Sequence, residues 1–305
     1  MEDLYEIYTK IEKLPVKTVV KKPYFARNLR GVMHFVHGMC EHKERYYDMM
    51  EYFNKEGFIC VISDMRGHGE NAPYLKDLGY FGDNGDEKLV EDIHAINVFI
   101  HNNYPDLPII MVAHSMGSLI TRTYMKKYDK DIDFVFMSGA PSNNMMKYPG
   151  MVLAEILALI FTEEDVSKLL DKVFKVNLKG YENEEKNAWI CSNSAVVKKF
   201  NEDELCNFSF TINGYKTLCT LMRRVYSKKN WGVKNPNIPI CFIVGSDDKV
   251  VGGEKKLKEQ VDFLKKIGYK RVKSHVFEGM RHEVFNEIKK EKVWKYMLEK
   301  IDRYI

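Results

Sequence analysis

The sequence lacks the features that mark several common protein classes. It has no apolar run long enough to span a bilayer, and its acidic start, from Met1 to Glu6, has no apolar signal core behind it. No internal repeat and no low-complexity stretch is visible. These absences predict a soluble, cytoplasmic protein without repeat architecture.

Cysteine is present but forms no recognisable pattern. The chain has 6 cysteines, with no C-x-x-C pair and no regular spacing. Cys60 and Cys241 lie in strand-like apolar runs, where a thiol packs as a small hydrophobic group. The cysteines therefore predict a reducing compartment rather than a disulfide framework.

An excess of one charge and the common cofactor motifs are also missing. The 47 Lys and Arg are nearly balanced by 43 Asp and Glu, so no nucleic-acid partner is expected, although weak attraction to an anionic lipid surface is compatible with this balance. No H-E-x-x-H motif predicts a metal site, and no Gly-rich phosphate loop predicts a nucleotide. The expected cofactor is none.

What the sequence does contain is a series of short apolar runs alternating with amphipathic helical patterns. Most of the runs lack polar alternation, as strands buried on both faces do. Strands alternating with helices predict an α/β fold with a mostly parallel, doubly wound sheet flanked by helices. The runs are 32–36, 58–62, 109–112, 134–137, 240–244 and 272–277, preceded by an edge strand or hairpin near 16–25.

The alternation lapses in the middle of the chain, which predicts an inserted, mainly helical cap. We assign residues 1–140 and 236–305 to the two parts of the core and residues 141–235 to the cap. The cap follows a strand at the carboxyl edge of the sheet, where ligands bind in such folds. Its apolar run, 151–161, is interpreted either as a helix packed on the core or as the lining of an acyl-chain pocket.

The most informative stretch is the run 109–118, in which a strand pattern ends at His114-Ser115 and a helical pattern begins. A serine in this sharp turn meets solvent beside the N-terminus of a helix, as a nucleophile requires. The alternative is a serine that only caps the helix. The usual G-x-S-x-G pattern begins here with Ala113 instead of glycine.

A nucleophilic serine needs a base and an orienting acid, which in such sheets follow it in the order Asp or Glu, then His. His275 lies inside a strand pattern and is expected to be structural, whereas His282 follows that strand in a loop. The acid should follow the strand before it, where Asp247 and Asp248 are both candidates. Either aspartate could instead be only a turn residue.

The tetrahedral intermediate of such a reaction needs two backbone N–H donors, which form the oxyanion hole. One donor is expected from Met116, the residue after the nucleophile. The other is expected from Met39, because Gly38 allows a tight turn after an early strand. The alternative at Gly38 is an ordinary glycine turn.

Six motifs then follow one another in a characteristic order: 37–42 (H-G-M-C-E-H), 45–46 (R-Y), 64–69 (D-M-R-G-H-G), 113–117 (A-H-S-M-G), 245–251 (G-S-D-D-K-V-V) and 278–282 (E-G-M-R-H). With them the chain resembles the monoacylglycerol lipase and lysophospholipase branch of the α/β-hydrolases. It departs from that family at Cys40 and Ala113, where the family has glycine, and at Asn71, where it usually has serine. The departure at Cys40 bears on the geometry of the oxyanion loop.

The resemblance selects Asp248 as the acid, with Asp247 in reserve, and implies an α/β-hydrolase fold. It also implies that two groups of polar residues brace the loops, namely Asp64, Arg66 and His68, and Glu41, His42 and Arg45.

The expected function is a serine hydrolase that cleaves monoacylglycerols or lysophospholipids. The alternatives are a carboxylesterase for short-chain or aromatic esters and a non-catalytic scaffold used for binding. The expected partners are a small ester or lipid substrate and, through the cap, transient contact with a membrane surface. The residues expected to line an acyl pocket are Met145, Met146, Ile156 and Ile160.

Overall fold

The protein folds around one sheet. In the computed structural model, which describes residues 2–9, 15–23, 28–174 and 180–305, the strands are β1 (Glu2–Tyr8), β2 (Pro15–Lys21), β3 (Gly31–Val36), β4 (Phe58–Ser63), β5 (Ile109–His114), β6 (Phe134–Ser138), β7 (Pro239–Gly245) and β8 (Arg271–Phe277). Their order across the sheet is β1-β2-β4-β3-β5-β6-β7-β8. β2 is antiparallel to β1 and β4, and the other neighbouring pairs are parallel.

Helices connect the strands and cover both faces of the sheet. They are α1 (Tyr47–Lys55), α2 (Gly85–Asn103), α3 (Met116–Tyr128), α4 (Lys147–Leu157), α5 (Lys168–Phe174), α6 (Ser194–Glu202), α7 (Ile212–Val225), α8 (Glu254–Ile267) and α9 (Lys290–Tyr304). None of those described has both the length and the apolarity that crossing a bilayer requires.

The parallel strands are apolar throughout because each side of the sheet is covered. Along β3, Val32 and Val36 belong to one buried cluster, and Met33 and Phe35 belong to another. Side chains of α2, α3, α7 and α8 complete the first cluster, while α1 and α9 complete the second. Burying each such side chain contributes about 1.5–3 kcal/mol to folding.

The predicted fold class is confirmed: the sheet is mostly parallel and helices flank it on both faces. Each apolar run predicted to be a strand forms one. The sequence analysis missed β1, an edge strand that pairs only with β2. Acidic side chains interrupt the apolar residues of β1, and Leu4 is exposed to solvent. The sequence of β1 therefore resembles a polar chain terminus more than a strand.

Residues 141–235, here called the β6–β7 segment, form helices α4 to α7 and a 3₁₀ turn at Ala188–Ile190. Helices are therefore its principal regular structure among the described residues, with irregular chain between them. Its last helix, α7, packs on α2 and α3, with Leu218, Leu221 and Met222 in the same buried cluster as those helices. That helix is thus continuous with the packing around the sheet.

Candidate active site

Ser115 lies in the turn between β5 and α3, at the carboxyl end of the sheet. Its backbone has φ +47° and ψ −116°, a conformation that costs a non-glycine residue about 1–3 kcal/mol. The turn is close because Gly117 approaches β3, where a side chain would overlap the carbonyl oxygens of Val36 and His37. The strained turn leaves Ser115 half-buried, with its hydroxyl beside His282.

The three residues predicted to act together lie within hydrogen-bond distance. Nε2 of His282 is 2.9 Å from Oγ of Ser115. Nδ1 of His282 is 3.0 Å from each carboxylate oxygen of Asp248. With the proton on Nδ1, the ring donates to Asp248 and accepts from the serine hydroxyl, which is the arrangement of a nucleophile, a base and an orienting acid.

The structure distinguishes the two candidate aspartates. The Asp248 side chain is buried, and its Oδ1 accepts hydrogen bonds from the N–H groups of Val250 (2.8 Å) and Val251 (3.2 Å). Asp247 is exposed, and its carboxylate accepts a hydrogen bond from the Ser246 hydroxyl. Only Asp248 contacts His282. His275, expected to be structural, stacks on Tyr296 with ring centroids 4.2 Å apart.

The buried environment sets the charges of the site. Burial alone would lower the pKa of His282, but the Asp248 carboxylate outweighs it, so the pKa is raised above its ordinary value. Burial likewise opposes ionisation of Asp248, yet His282 and the two backbone donors lower the pKa of that carboxyl. The neighbouring His114 has its pKa lowered to about 4 by burial and by His282, so it stays neutral.

One predicted oxyanion donor, Met39, belongs to the loop after β3, and the other, Met116, directly follows Ser115 in the chain. A side chain at Gly38 would lie 3.2 Å from Cβ of Ser115, so the backbone that leads to Met39 passes close to the nucleophile. Met116 is the first residue of α3. Among the residues that the structure describes, none accepts a hydrogen bond from the backbone N–H of Met39 or of Met116. Both N–H groups are therefore available to a bound oxyanion.

Glu41 and Arg45 hold this loop in place. Glu41 accepts hydrogen bonds from the Gly38 N–H and from the Tyr46 hydroxyl, which is 2.9 Å away. Arg45 donates to Glu41 at 2.6 Å and to both oxygens of Glu283 at 2.8 and 2.6 Å. Because Glu283 follows His282 in the chain, Arg45 joins the loop after β3 to the loop that carries His282.

The contacts of Cys40 explain why this loop tolerates a residue other than glycine at that position. Its φ is +56°, in the left-handed region that favours glycine. Two contacts stabilise it there, because its N–H donates to Nε2 of His68 at 3.2 Å and its thiol donates to the Phe208 carbonyl at 3.0 Å. Burial lowers the pKa of His68 to about 3, so the ring stays neutral and can accept that hydrogen bond.

The residues of the D-M-R-G-H-G motif make three different contacts. Asp64 accepts from the N–H of Lys43 at 2.8 Å and from its ammonium group at 2.7 Å. Arg66 forms a two-pronged pair with Asp92 of α2, with both distances 2.8 Å. His68 binds the oxyanion loop, as described above. Each contact connects the chain after β4 to a different neighbour.

The β6–β7 segment reaches the site through contacts that sequence analysis missed. The ring of Trp189 lies 5.2 Å from that of His282. The N–H of Glu283 donates to the Ile190 carbonyl at 2.7 Å, and Arg281 pairs with Glu184 at 2.8 Å. The position of Arg281 and Glu283 on either side of His282 was the only sequence signal for these contacts. It does not identify their partners, Glu184 and Ile190, which lie more than 90 residues earlier in the chain.

The four residues expected to line an acyl pocket are all at the surface. The exposed fractions are 67% for Met145, 40% for Met146, 50% for Ile156 and 70% for Ile160. The buried face of α4 is formed by other residues of the helix, Met151 and Ala154 among them. None of these four side chains therefore belongs to the buried core, and their role toward substrate stays a prediction.

A separate cluster of metal-ligating side chains occurs beside the oxyanion loop. Nε2 of His42, a carboxylate oxygen of Asp203 and the thiol sulfur of Cys206 all lie within 4.8 Å of one another. His42 and Cys206 are buried. No other such cluster occurs among the residues that the structure describes.

The sequence is similar to those of known lipases. A region of 32% identity over 117 residues is shared with a monoacylglycerol lipase of Mycolicibacterium smegmatis, covering 37% of this chain and 39% of that protein. A monoglyceride lipase homolog of Monkeypox virus is 25% identical over 90% of this chain and 89% of its own length. The chain thus covers well under half of the mycobacterial lipase but most of the viral protein.

Solved structures match the whole chain. A highly thermostable carboxyl esterase from Bacillus coagulans, in complex with glycerol, superposes with a TM-score of 0.90 and 25% identity, covering 99% of this chain and 98% of that one. The model of the family described as Hydrolase_4, serine aminopeptidase S33, matches residues 27–289. The chain therefore belongs to this family of serine hydrolases and has the α/β-hydrolase fold.

Proposed function

We propose that the protein is a serine carboxylic-ester hydrolase that cleaves monoacylglycerols or lysophospholipids through an acyl-enzyme on Ser115. The observation that carries the proposal is the position of His282, which lies 2.9 Å from the Ser115 hydroxyl and 3.0 Å from the Asp248 carboxylate. This geometry supports proton transfer from serine to histidine without a rearrangement of the site.

In the first half of the reaction, Oγ of Ser115 attacks the ester carbonyl carbon while Nε2 of His282 takes the hydroxyl proton. The carbonyl oxygen becomes an oxyanion, which the N–H groups of Met39 and Met116 stabilise. Asp248 holds the ring and stabilises its charged form. The tetrahedral intermediate collapses when His282 returns its proton to the leaving alcohol, so the acyl group stays on Ser115.

In the second half, water replaces the alcohol. His282 takes a proton from the water, whose oxygen attacks the acyl carbon of the ester on Ser115. The same two N–H groups stabilise the second oxyanion. Breakdown of this intermediate releases the carboxylic acid and returns the proton to Oγ, so the enzyme is regenerated without a cofactor.

The substrate class is supported by the names of two relatives, a monoacylglycerol lipase and a monoglyceride lipase homolog. A panel of p-nitrophenyl esters of rising chain length, with monoacylglycerols and lysophospholipids, tests it. We expect turnover of at least one of the two lipid classes, with a higher kcat/KM than for short esters. Turnover of short or aromatic esters alone would exclude the lipid substrate.

The second candidate is a carboxylesterase for short-chain or aromatic esters. Similarity to the carboxyl esterase from Bacillus coagulans, which extends over the whole chain, favours it. The mechanism is the same in both cases, and only the acyl and alcohol pockets differ. The ester panel separates them, because a short-chain enzyme loses kcat/KM as the acyl chain lengthens.

A non-catalytic binding scaffold is the candidate from another class. An active-site-directed fluorophosphonate probe distinguishes it, because the probe reacts only with an activated serine hydroxyl. We expect labelling of the intact chain and none of the Ser115→Ala variant. An unlabelled chain that is folded by circular dichroism would overturn the hydrolase proposal.

We further propose that residues 141–235 act as a cap in which Met145, Met146, Ile156 and Ile160 line the acyl-chain path. Their exposed apolar side chains would gain about 0.8 kcal/mol for each CH₂ of a chain that covers them. Residues 1–140 and 236–305 form the remainder of the enzyme in this proposal.

Exposed apolar side chains just after α4 support the proposal of transient contact with a membrane surface. Leu159, Ile160 and Phe161 follow α4 and are largely solvent-exposed, which is unusual for adjacent large apolar residues. Sedimentation with phosphatidylcholine vesicles tests this contact. We expect partial binding that Leu159→Ser and Phe161→Ser together remove, whereas binding unaffected by that change would contradict it.

A cytoplasmic location is also proposed. It is supported by the six cysteines, all of which have free, buried thiols rather than disulfides. Fractionation of cells that express the protein tests the location, and recovery in a secreted fraction would contradict it.

A further inference from the structure

A buried histidine lies beside two side chains of a turn from a distant part of the chain, next to the oxyanion loop. His42 ends the H-G-M-C-E-H motif, and its Nε2 lies 2.9 Å from Oδ2 of Asp203. Asp203 is the C-terminal cap of α6, and Cys206 follows three residues later. The three ligand atoms, a nitrogen, an oxygen and a sulfur, lie within 4.8 Å of one another.

The chain after α6 orients two of these side chains together. The N–H of Cys206 donates to the Asp203 carbonyl at 3.0 Å, which closes a turn. The N–H of Leu205 donates to Oδ1 of Asp203 at 2.8 Å. One carboxylate oxygen is thereby fixed by the backbone, and the other faces His42. A ligand whose second atom is held in this way is oriented before a metal arrives.

We propose that His42, Asp203 and Cys206 bind a divalent transition metal of the zinc class. Imidazole nitrogen, carboxylate oxygen and thiolate sulfur are the three ligand types that Zn²⁺ takes, usually in tetrahedral geometry. With bond lengths near 2.0 Å to nitrogen and oxygen and 2.3 Å to sulfur, the ligand atoms of such a tetrahedral site are about 3.3–3.5 Å apart. His42 Nε2 and Asp203 Oδ2 are now 2.9 Å apart and the three ligand atoms lie within 4.8 Å of one another, so the proposal requires the side chains to adjust when the metal binds.

The proposed site has three protein ligands, so water completes the coordination. On binding, the Cys206 thiol loses its proton to solvent and the thiolate forms the metal–sulfur bond, while His42 coordinates as the neutral ring. No oxidant or reductant takes part. The carboxylates of Glu41, Glu283 and Asp203 outnumber the nearby Arg45 cation, so the surroundings favour a positive ion.

The competing explanation needs no metal. In it, His42 and Asp203 form an ordinary hydrogen bond, and Cys206 packs as a small apolar residue among Ile190, Val197 and other side chains of a minor buried cluster. That account explains the contact between His42 and Asp203. It gives no reason for the Cys206 sulfur to lie close to both of their ligand atoms. The two accounts differ in one measurable property, which is whether Cys206 becomes a metal ligand.

Titration of the metal-stripped, full-length protein with Co²⁺ tests this property. Cobalt replaces zinc in such sites, and a bound thiolate gives a sulfur-to-cobalt charge-transfer absorption. We expect the absorption in the unaltered protein and in Cys191→Ser, which changes a buried cysteine of the same minor cluster that is not one of the three proposed ligands, but not in Cys206→Ser. Absence of the band in the unaltered protein, or its persistence in Cys206→Ser, would overturn the proposal.

A second measurement tests the site even if the Cys206→Ser variant fails to fold. Zinc should raise the Tm of the unaltered protein and of Cys191→Ser, and His42→Gln and Asp203→Asn should each weaken zinc binding. The loss should exceed the 10- to 100-fold that removal of a residue beside a metal ligand typically costs. Unchanged zinc affinity in both folded variants would exclude the site. Neither readout depends on ester hydrolysis, so failure here is distinct from failure of the proposed function.

Discussion

At the residue scale, the strained backbone of Ser115 presents its hydroxyl to His282 without contributing to any buried contact of the core. Ser115→Ala should therefore abolish turnover and leave the Tm nearly unchanged, since it removes one half-buried oxygen. His282→Ala should be similarly severe, because residues that act as a unit are not additive. Steady-state kinetics with thermal unfolding checks both.

The two aspartates allow a matched comparison. Asp248→Asn should lower kcat by about 10⁴-fold, as the corresponding change does in serine proteases, because an amide favours the wrong ring tautomer. Asp247→Asn should have little effect, since that carboxylate is exposed and contacts Ser246. If Asp247→Asn proves crippling and Asp248→Asn mild, the acid has been assigned to the wrong residue.

The pKa of His282 predicts the pH dependence of the reaction. The ring must be neutral to accept the serine proton, so kcat/KM should fall as pH drops through this pKa. Because Asp248 raises the pKa above its ordinary value, the midpoint should lie above about 6.5. Asp248→Asn should move the midpoint down, since burial then dominates. A kcat/KM that is flat between about pH 5 and 8 would argue against histidine as the base.

Cys40 gives a prediction about stability. Cys40→Gly should fold and remain active, since glycine adopts a φ of +56° without strain, although the thiol contact to the Phe208 carbonyl is lost. Cys40→Val should be destabilised by about 1–2 kcal/mol or more, because a β-branched residue is poorly tolerated in the left-handed region. Chemical denaturation of the three proteins measures this, and a Val variant as stable as the Cys protein would refute the strain argument.

At the scale of elements, Arg45 connects the loop after β3 to the loop before α9. Arg45→Gln leaves Glu41 and Glu283 as buried carboxylates without their cation and should cost about 3–5 kcal/mol of stability. It should also lower kcat, since Glu41 fixes the Gly38 N–H next to a proposed oxyanion donor.

Arg66→Gln is the matched control, because Arg66 also forms a buried two-pronged ion pair, but its partner Asp92 lies on α2 rather than on either catalytic loop. It should lower stability comparably while reducing kcat much less. Equal losses of kcat in the two variants, measured well below both melting temperatures, would show that Arg45 affects activity only through the stability of the fold.

The elements also show which features a sequence can reveal. Ser115 and His282 were predictable because each lies in a short local pattern at the end of a strand. The choice of Asp248 over Asp247 needed family resemblance, since both occupy the same turn. The contact between Arg45 and Glu283 was not predictable, because it joins residues 238 positions apart and leaves no periodic signal. For the same reason, the packing of α7 on α2 and α3 could not be read from its own amphipathic pattern.

At the scale of the whole molecule, the exposed apolar residues on α4 and on either side of it make the acyl-chain proposal straightforward to test. Met145, Met146, Ile156 and Ile160 can each be changed to Ala or Ser with a stability change within about 0.5 kcal/mol, because all four are surface residues. If they contact the acyl chain, the kcat/KM ratios among C4, C8 and C12 esters should shift toward short chains.

Met151→Ala is the control for that series, since Met151 is buried on the opposite face of α4. It should lower the Tm without shifting the chain-length ratios. Unchanged ratios in every surface variant would show that the acyl chain follows another path, while the assignment of an ester hydrolase would stand.

The contacts around His282 have a consequence for attempts to reduce the enzyme to a smaller unit. Trp189 lies against the ring of His282, and the Ile190 carbonyl receives the N–H of the adjacent Glu283. Deleting residues 141–235 and rejoining the chain would therefore remove one wall of the catalytic base and leave a buried donor unsatisfied. The sheet alone predicts that a truncated core keeps basal hydrolysis, whereas these contacts of Trp189 and Ile190 predict that hydrolysis is lost with the segment. We therefore expect that any replacement for residues 141–235 has to rebuild the same support for His282.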